Sequence, residues 1–363
     1  LWKERSLEKT RSEKEMKAVV YGGPNEVRVE DVPEPRVIDP EDAVVAVETT
    51  AICGSDLHVV AGKTPGMRIG GVLGHEYVGV VRDAGPDVAR HRPGDRVLGS
   101  FLISCGVCGA CTRGRFNFCS RRRALGLGEL SGNLDGAQAE FVRVPSADLN
   151  LRSLGPRVDN DRAVFCGDIL ATGFYAAALA EIDSSKSVLV MGAGPVGLCC
   201  ALAVRRLGPQ RLLICDADET RTAFARSRLG FDVVDASSQD TPEAVAGWTD
   251  GAMADVVIEA VGAVPALKTA LRCARDGGQI VVVGVYGKER YDLPMGVAWI
   301  RGLDLRFSGM ANVHAHWGDA LEAVARNEID PTSLITHRLP LDQAPQGYEL
   351  FRERRALKVL MTP

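Results

Sequence analysis

The feature that most constrains this chain is the segment Gly192-Ala193-Gly194-Pro195-Val196-Gly197. It follows the apolar run Val188-Leu189-Val190-Met191 and precedes a helical run from Leu198 to Leu207. A Gly-x-Gly-x-x-Gly alone is weak evidence, but here a strand precedes it and a helix follows. In that setting the first glycine makes the tight turn, and the second lets a pyrophosphate approach the backbone. The third lets helix and sheet pack closely, with the phosphate charge facing the helix N-terminus. The runs Arg211 to Cys215, Asp255 to Glu259 and Gln279 to Val283 alternate with Ala-rich helices from about 159 to 305. That alternation predicts a parallel, doubly wound sheet that binds a dinucleotide.

Asp216 closes the strand after the motif, about 20 residues on, where a carboxylate reaches the adenosine ribose hydroxyls. Asp218 and Glu219 add negative charge that opposes the extra phosphate of NADP, so NAD is the expected cofactor; Arg221 pulls the other way. Gly192, Gly194, Pro195, Val196, Gly197, Asp216 and Arg221 are the expected cofactor-binding residues. Val261, Val283 and Val285, near the later strand ends, complete the set.

From Met16 to about Pro156 the pattern changes to short β-type runs broken by Gly, Pro and Asp, such as Met16 to Tyr21, Ala43 to Val47, Tyr77 to Arg82 and Arg96 to Leu98. Beyond about Arg306 come a helical stretch, Trp317 to Arg326, and a closing apolar strand near Lys358 to Met361. A length of 363 residues suits two domains. The net charge of -4, with Arg121 to Arg123 the sole basic run, gives no footprint for nucleic acid or anionic lipid. No apolar run is long enough to span a membrane and no apolar signal segment opens the sequence, so a cytoplasmic location is expected. Residues 1–15 lack a core pattern and read as a leader or tag.

Ten cysteines in a chain of this size and compartment point to metal rather than disulfides. Cys105, Cys108, Cys111 and Cys119 offer four thiolates from one loop, the closed tetrahedral set of a structural zinc, with no position left for substrate. Cys166, Cys199, Cys200, Cys215 and Cys273 lie in apolar segments as core thiols do. A catalytic zinc takes three protein ligands and keeps one position open. Cys53 and His75 are candidates for two of them; spacing leaves the third undecided.

Gly74-His75-Glu76-x2-Gly79-x-Val81, Pro93-Gly94-Asp95-Arg96-Val97, the four-cysteine loop, Asp135-Gly136-Ala137-Gln138-Ala139-Glu140 and the Gly192 to Gly197 segment together resemble the zinc-dependent medium-chain alcohol dehydrogenases in order and spacing. The resemblance implies an α/β protein with two parts. A GroES-like, mainly β catalytic domain would be built from 16–158 and 306–363, around a Rossmann NAD-binding domain at 159–305, with the active site in the cleft. It implies Cys53, His75 and Asp168 as catalytic zinc ligands, aspartate standing where many members have cysteine. Glu76 matches a residue beside the metal that can approach it. Asp56 matches the carboxylate that orients the zinc histidine; a helix cap near Leu57 is its other reading. Ser55 and His58 match the proton relay, three apart on one helical face. Gly54 stands where some members carry a basic, phosphate-contacting residue. Phe101 matches a position that lines the substrate pocket, and Tyr286, which follows the strand end Val283-Gly284-Val285 near where the nicotinamide should lie, is the second pocket candidate; the other reading of both is core or rim aromatics.

The activity so implied is reversible hydride transfer between a primary or secondary alcohol and NAD, with two zinc ions per chain. Asp168-Ile169-Leu170 also resembles the glutathione-independent formaldehyde dehydrogenases and aldehyde dismutases, which carry added segments that this chain lacks. A polyol dehydrogenase, and a non-catalytic NAD-binding protein on the same fold, are the remaining alternatives. The expected partners are a small alcohol or carbonyl substrate and further copies of the chain, as a tetramer in preference to a dimer.

Overall fold

The computed structural model describes residues 14–64, 66–129, 132–287 and 290–363. Of the expected leader, residues 1–13 lie outside this range, and Glu15 already opens the strand Glu15–Gly23. Two large sheets organise the chain. The first has seven strands in the order Ile335–Pro340, Lys358–Thr362, Ala43–Ile52, Glu76–Ala84, Arg96–Gly99 and Leu151–Ser153, with Phe141–Val144 also paired to Ala43–Ile52. The β-branched, largely buried run Ala43–Ile52 suits the middle of such a sheet. Its register sets Val359 opposite Ile52 and Glu76 opposite Ala51. Cys53, His75, Glu76 and Lys358, remote in sequence, therefore meet at one corner.

The second sheet has six parallel strands in the order Asp232–Asp235, Arg211–Asp216, Ser187–Met191, Ala254–Glu259, Ala274–Val282 and Asp304–Phe307. This is the doubly wound order, and it switches direction between Ser187–Met191 and Ala254–Glu259, where a dinucleotide lies across the strand ends. Every residue of Ser187–Met191 is buried, as in a strand covered on both faces. The edge strands Asp232–Asp235 and Asp304–Phe307 escape the sequence pattern because each is four residues long and carries charges. The expected domain boundary at 305/306 falls inside the second of them.

Helices Asn160–Cys166 and Ile169–Leu179 lie between the sheets. Asp159 caps the first, its carboxylate accepting the Arg162 N–H at 2.9 Å. One apolar core runs from Cys53, Leu98 and Phe101 through Ile169, Phe174 and Leu198 to Trp317, so both sheets are anchored on the same helices. Val313–Ala325 begins four residues before the expected Trp317. Among the described residues no single helix is long and apolar enough to cross a membrane. The bent pair Asn160–Cys166 and Ile169–Leu179 meets that test on length and composition, and its apolar residues are mostly buried in the core.

Candidate active site

Strand Ala43–Ile52 ends beside Cys53, which is the N-cap of helix Gly54–Val60. The helix starts at Gly54, not near Leu57, because the Asp56 carboxylate reaches back to accept the Cys53 N–H at 3.0 Å and closes a capping box. The same carboxylate lies 3.1 Å from His75 Nδ1 and accepts from Gln138 Nε2 at 3.3 Å. Asp56 thus caps the helix and lies beside the imidazole, so the two readings of it are compatible. With Nδ1 so engaged, His75 Nε2 faces Asp168 Oδ2 at 3.4 Å, and Cys53 Sγ lies 3.6 Å from that oxygen. Asp168 is delivered by the junction between the two interlayer helices.

The ligand atoms of Cys53, His75 and Asp168 all lie within 4.8 Å of one another, and all three residues are buried. Zinc bonded to N, O and S at its usual lengths spaces its ligand atoms about 3.3 to 3.8 Å apart in a tetrahedron. The donor set therefore fits zinc in both chemistry and spacing. Electrostatics agree. Burial, with Asp168 and Glu76 nearby, pushes the Cys53 thiol up, so a thiolate there needs a cation. Burial opposes charge on His75, but Asp56, Asp168 and Cys53 overcome it and raise that imidazole well above its ordinary range. Burial likewise acts against the Asp168 anion, and His75 and Lys358 outweigh it. The cluster favours positive charge at its centre.

Glu76 is adjacent but turned aside. Its Oε2 pairs with Lys358 Nζ, both side chains fully buried, and its Oε1 has no hydrogen-bond partner. Burial pushes this carboxyl up to about 7 even against the lysine. Lys358 was hidden in the sequence: it reads as the polar start of an apolar strand, and the carboxylate it serves lies far away in the chain.

Ser55 Oγ lies 3.2 Å from His75 Nε2, at the edge of the cluster. His58, one turn further along the same helix, is half-buried, and burial together with Lys63 lowers its basicity. Phe101 is buried, its ring edge-on to His75 at 6.0 Å between centroids. Tyr286 stands apart from this group, with Oη 3.0 Å from Glu259 Oε2 and 3.2 Å from the Ala263 carbonyl. A polar anchor holds this hydroxyl, which sequence alone had associated with the substrate pocket.

The four loop cysteines also converge, within 4.8 Å of one another, and form no disulfide. Cys108–Cys111 and Cys105–Cys119 sulfurs are each 3.5 Å apart, close to the roughly 3.8 Å edge of a zinc tetrathiolate. Backbone N–H groups of Cys105 and Arg121 point at Cys119 Sγ from 3.4 and 3.3 Å. The N–H groups of Cys111 and Ser120 pull the Cys108 thiol down to about 5. These donors stabilise thiolates, so this set fits a closed zinc site.

The Gly192 to Gly197 segment forms the strand-turn-helix expected from the sequence. Gly192 has φ +103, and a Cβ at Gly197 would come 1.8 Å from the Gly192 oxygen, so helix Pro195–Leu207 reaches the strand only with glycine there. Pro195 occupies the first turn of that helix, followed by Val196. Asp216 accepts the Ala193 N–H at 2.6 Å and the Asp218 N–H at 2.9 Å, which places its carboxylate at the glycine turn. The Arg221 guanidinium approaches the same turn, 3.5 Å from where a Gly194 Cβ would lie. Val261 and Val285 are exposed and Val283 half-buried at the adjoining strand ends.

Two family models match the chain: the alcohol dehydrogenase GroES-like domain over residues 39–151, and the zinc-binding dehydrogenase model over 195–326. Zinc-type alcohol dehydrogenase B of Aspergillus flavus is 36% identical, over 98% of this chain and 83% of that one. The solved alcohol dehydrogenase TADH from Thermus sp. ATN1 superposes with a TM-score of 0.91 at 40% identity, covering 96% of this chain and 99% of the other. A solved structure from Sinorhizobium meliloti 1021, named for a zinc-binding dehydrogenase and bound to NADP, gives 0.85 at 31%, covering 96% and 100%. With both family models matched and these relatives aligned over nearly its whole length, the chain belongs to the zinc-dependent medium-chain alcohol dehydrogenase family.

Proposed function

We propose that the protein catalyses reversible hydride transfer between a primary or secondary alcohol and NAD. The observation that carries this reading is the convergence of Cys53, His75 and Asp168 within 4.8 Å, beside Ser55 and Phe101. When bound, zinc supplies Lewis acidity toward the substrate oxygen and NAD supplies the hydride-accepting ring. Cys53, His75 and Asp168 would hold the metal, with Asp56 fixing the imidazole. Ser55 Oγ takes the proton leaving the substrate hydroxyl. His58, whose basicity is lowered by burial and by Lys63, is mainly neutral near pH 7 and so able to accept that proton in turn through the cofactor ribose. Phe101 gives the site an apolar wall suited to an aliphatic or aromatic alcohol rather than a polyol. Cys105, Cys108, Cys111 and Cys119 would hold the second zinc.

NAD is preferred to NADP because the negative charge of Asp216, Asp218 and Glu219 after the second strand would oppose the extra phosphate of NADP; Arg221 and the NADP-bound relative weigh on the other side. We also read the enzyme as a cytoplasmic homo-oligomer, a tetramer in preference to a dimer. Support for association between copies comes from the exposed Met295, Trp299, Ile300 and Phe307 at or near the edge strand Asp304–Phe307, whose outer side has no strand partner among the described residues.

The test is a panel of primary alcohols, secondary alcohols and polyols, followed by absorbance of the reduced cofactor, with NAD and NADP at equal concentration and with metal analysis. The expected result is turnover of simple alcohols, faster with NAD, and about two zinc ions per chain. Faster turnover with NADP would overturn the cofactor assignment. An enzyme that keeps its NADH bound and cycles with added aldehyde is the dismutase instead, and zinc-free protein inert to the whole panel is not a dehydrogenase.

A further inference from the structure

Glu259 ends the strand next to the glycine-motif strand, at the switch in strand order. It is fully buried. Its Oε1 accepts the backbone N–H groups of Val261 at 2.7 Å and Gly262 at 2.9 Å, and its Oε2 faces Tyr286 Oη at 3.0 Å. Its backbone carbonyl accepts the N–H groups of Val283 at 2.8 Å and Gly284 at 2.9 Å. One residue therefore ties the loop after its own strand to the loop after the neighbouring strand Ala274–Val282. The two loops lie in contact: a Cβ at Gly262 would come 2.6 Å from the Val285 oxygen.

Above this polar hub, the valines that the two loops carry are outward. Val261 is 51% and Val285 56% exposed. Val261 also borders the glycine turn, 3.1 Å from where a Gly192 Cβ would lie. Of the two mononucleotide halves of a doubly wound sheet, the one starting with Ser187–Met191 holds the glycine motif and Asp216. The other starts with the strand that Glu259 ends, so these loops belong to the second nucleotide of a dinucleotide. A buried carboxylate is costly unless its oxygens are satisfied, and both oxygens of Glu259 are.

We propose that Glu259 is a positioning residue for the nicotinamide half of the cofactor, setting the separation and facing of Val261 and Val285 so that a flat ring is held at their apolar edges. This rests on the reading that the protein binds a nicotinamide dinucleotide. Glu259 acts through the loops and touches neither substrate nor reacting atoms.

The test measures NADH binding by fluorescence and ADP-ribose binding by calorimetry for the wild type, E259M, E259Q and Y286F. ADP-ribose shares the adenosine and pyrophosphate but lacks the nicotinamide. E259M fills the space and leaves the Val261 and Gly262 N–H groups without their acceptor, so NADH affinity falls about tenfold or more while ADP-ribose affinity stays within about twofold. E259Q keeps an acceptor for both amides and restores most of the NADH affinity. Y286F, which removes only the hydroxyl, gives a smaller loss confined to NADH, and it decides the matter alone if E259M fails to fold. The proposal is overturned if both variants bind NADH as the wild type does, or if NADH and ADP-ribose weaken together. A wild type that binds neither NADH nor ADP-ribose sinks the dinucleotide reading instead.

Discussion

Lys358, on the closing strand of the chain, is buried with its ammonium between the Glu76 carboxylate and the Ile52 carbonyl, one residue from the proposed zinc ligand His75. Without that cation Glu76, already pushed up to about 7, would be driven to take up a proton and stand as an unpaired buried carboxyl at the site corner. Lys358→Met should therefore lower unfolding free energy by about 1 to 3 kcal/mol, the cost of leaving a buried polar group unpaired. The double variant Glu76→Gln/Lys358→Met should recover part of the loss, because folding then requires no proton uptake by a buried carboxyl. Denaturant titration of the three variants measures this as a cycle; equal midpoints for Lys358→Met and the wild type would show the pair to be energetically idle.

Asp168 supplies the sharpest chemical prediction, since it is the proposed ligand with no local sequence motif. Asp168→Ala should abolish turnover and reduce zinc from about two ions to about one, a catalytic site having no protein ligand to spare. NADH binding should survive. Asp168→Cys should retain the second zinc, because a thiolate is also a tetrahedral zinc donor. Full zinc and near-normal rates in Asp168→Ala would instead favour Glu76 as third ligand, which would require it to leave Lys358.

The parts of the fold legible in the sequence are those written in local periodicity and glycine spacing. The central parallel strands, the Gly192 to Gly197 turn and the four-cysteine loop are all of this kind, each carried by one short segment. The catalytic cluster was legible only in part. Cys53 and His75 stand in short motifs, but Asp168 joins them through the packing of two helices between the sheets, and resemblance alone pointed to it. Lys358 and Glu259 were missed for the same physical reason. Each is a charged residue at an end of a largely apolar strand, and its partners are set by register and loop contact. Tyr286 was placed near the nicotinamide from its strand end, but the direction of its hydroxyl depends on Glu259.

The four-cysteine lobe should behave as a folding element rather than a catalytic one. Cys108→Ser is expected to remove about one zinc per chain and to lower the melting temperature, since structural metal affinity contributes directly to folding. The remaining zinc should stay with Cys53, His75 and Asp168. Unchanged zinc content and melting temperature in Cys108→Ser would remove the metal from this lobe.

Gly54 offers a gain-of-function test of the cofactor grip. It is exposed at the start of helix Gly54–Val60, and a Cβ there meets nothing within 4 Å. Gly54→Arg should fit without rearrangement and add a cation where related enzymes contact phosphate. NADH should bind about threefold to tenfold more tightly, the size of one net hydrogen bond or ion pair made at an exposed position. The gain should shrink with salt. No tightening at low salt would place the pyrophosphate elsewhere.

His314 gives the pH dependence. Its Nε2 lies 2.8 Å from Asn150 Oδ1, an acceptor whose orientation is fixed because Asn150 Nδ2 faces the carbonyls of Ser104, Pro145 and Ser146. Nε2 must therefore carry the proton of a neutral ring, while Nδ1 is buried without a partner. Burial pushes this imidazole down to about 3, against about 6.5 in an unfolded chain. Between those values the unfolded chain binds a proton that the folded chain refuses, so stability falls as pH falls through this window. The slope from one such group is at most about 1.4 kcal/mol per pH unit. His314→Gln can keep a donor for Asn150 without a titrating ring, so its stability should decline less steeply between about pH 6.5 and the acid transition. Parallel declines for wild type and His314→Gln, measured by denaturant titration at several pH values, would mean that His314 takes up its proton in the folded protein. The contacts with Phe116 and Trp317 would then have to accommodate a charged ring.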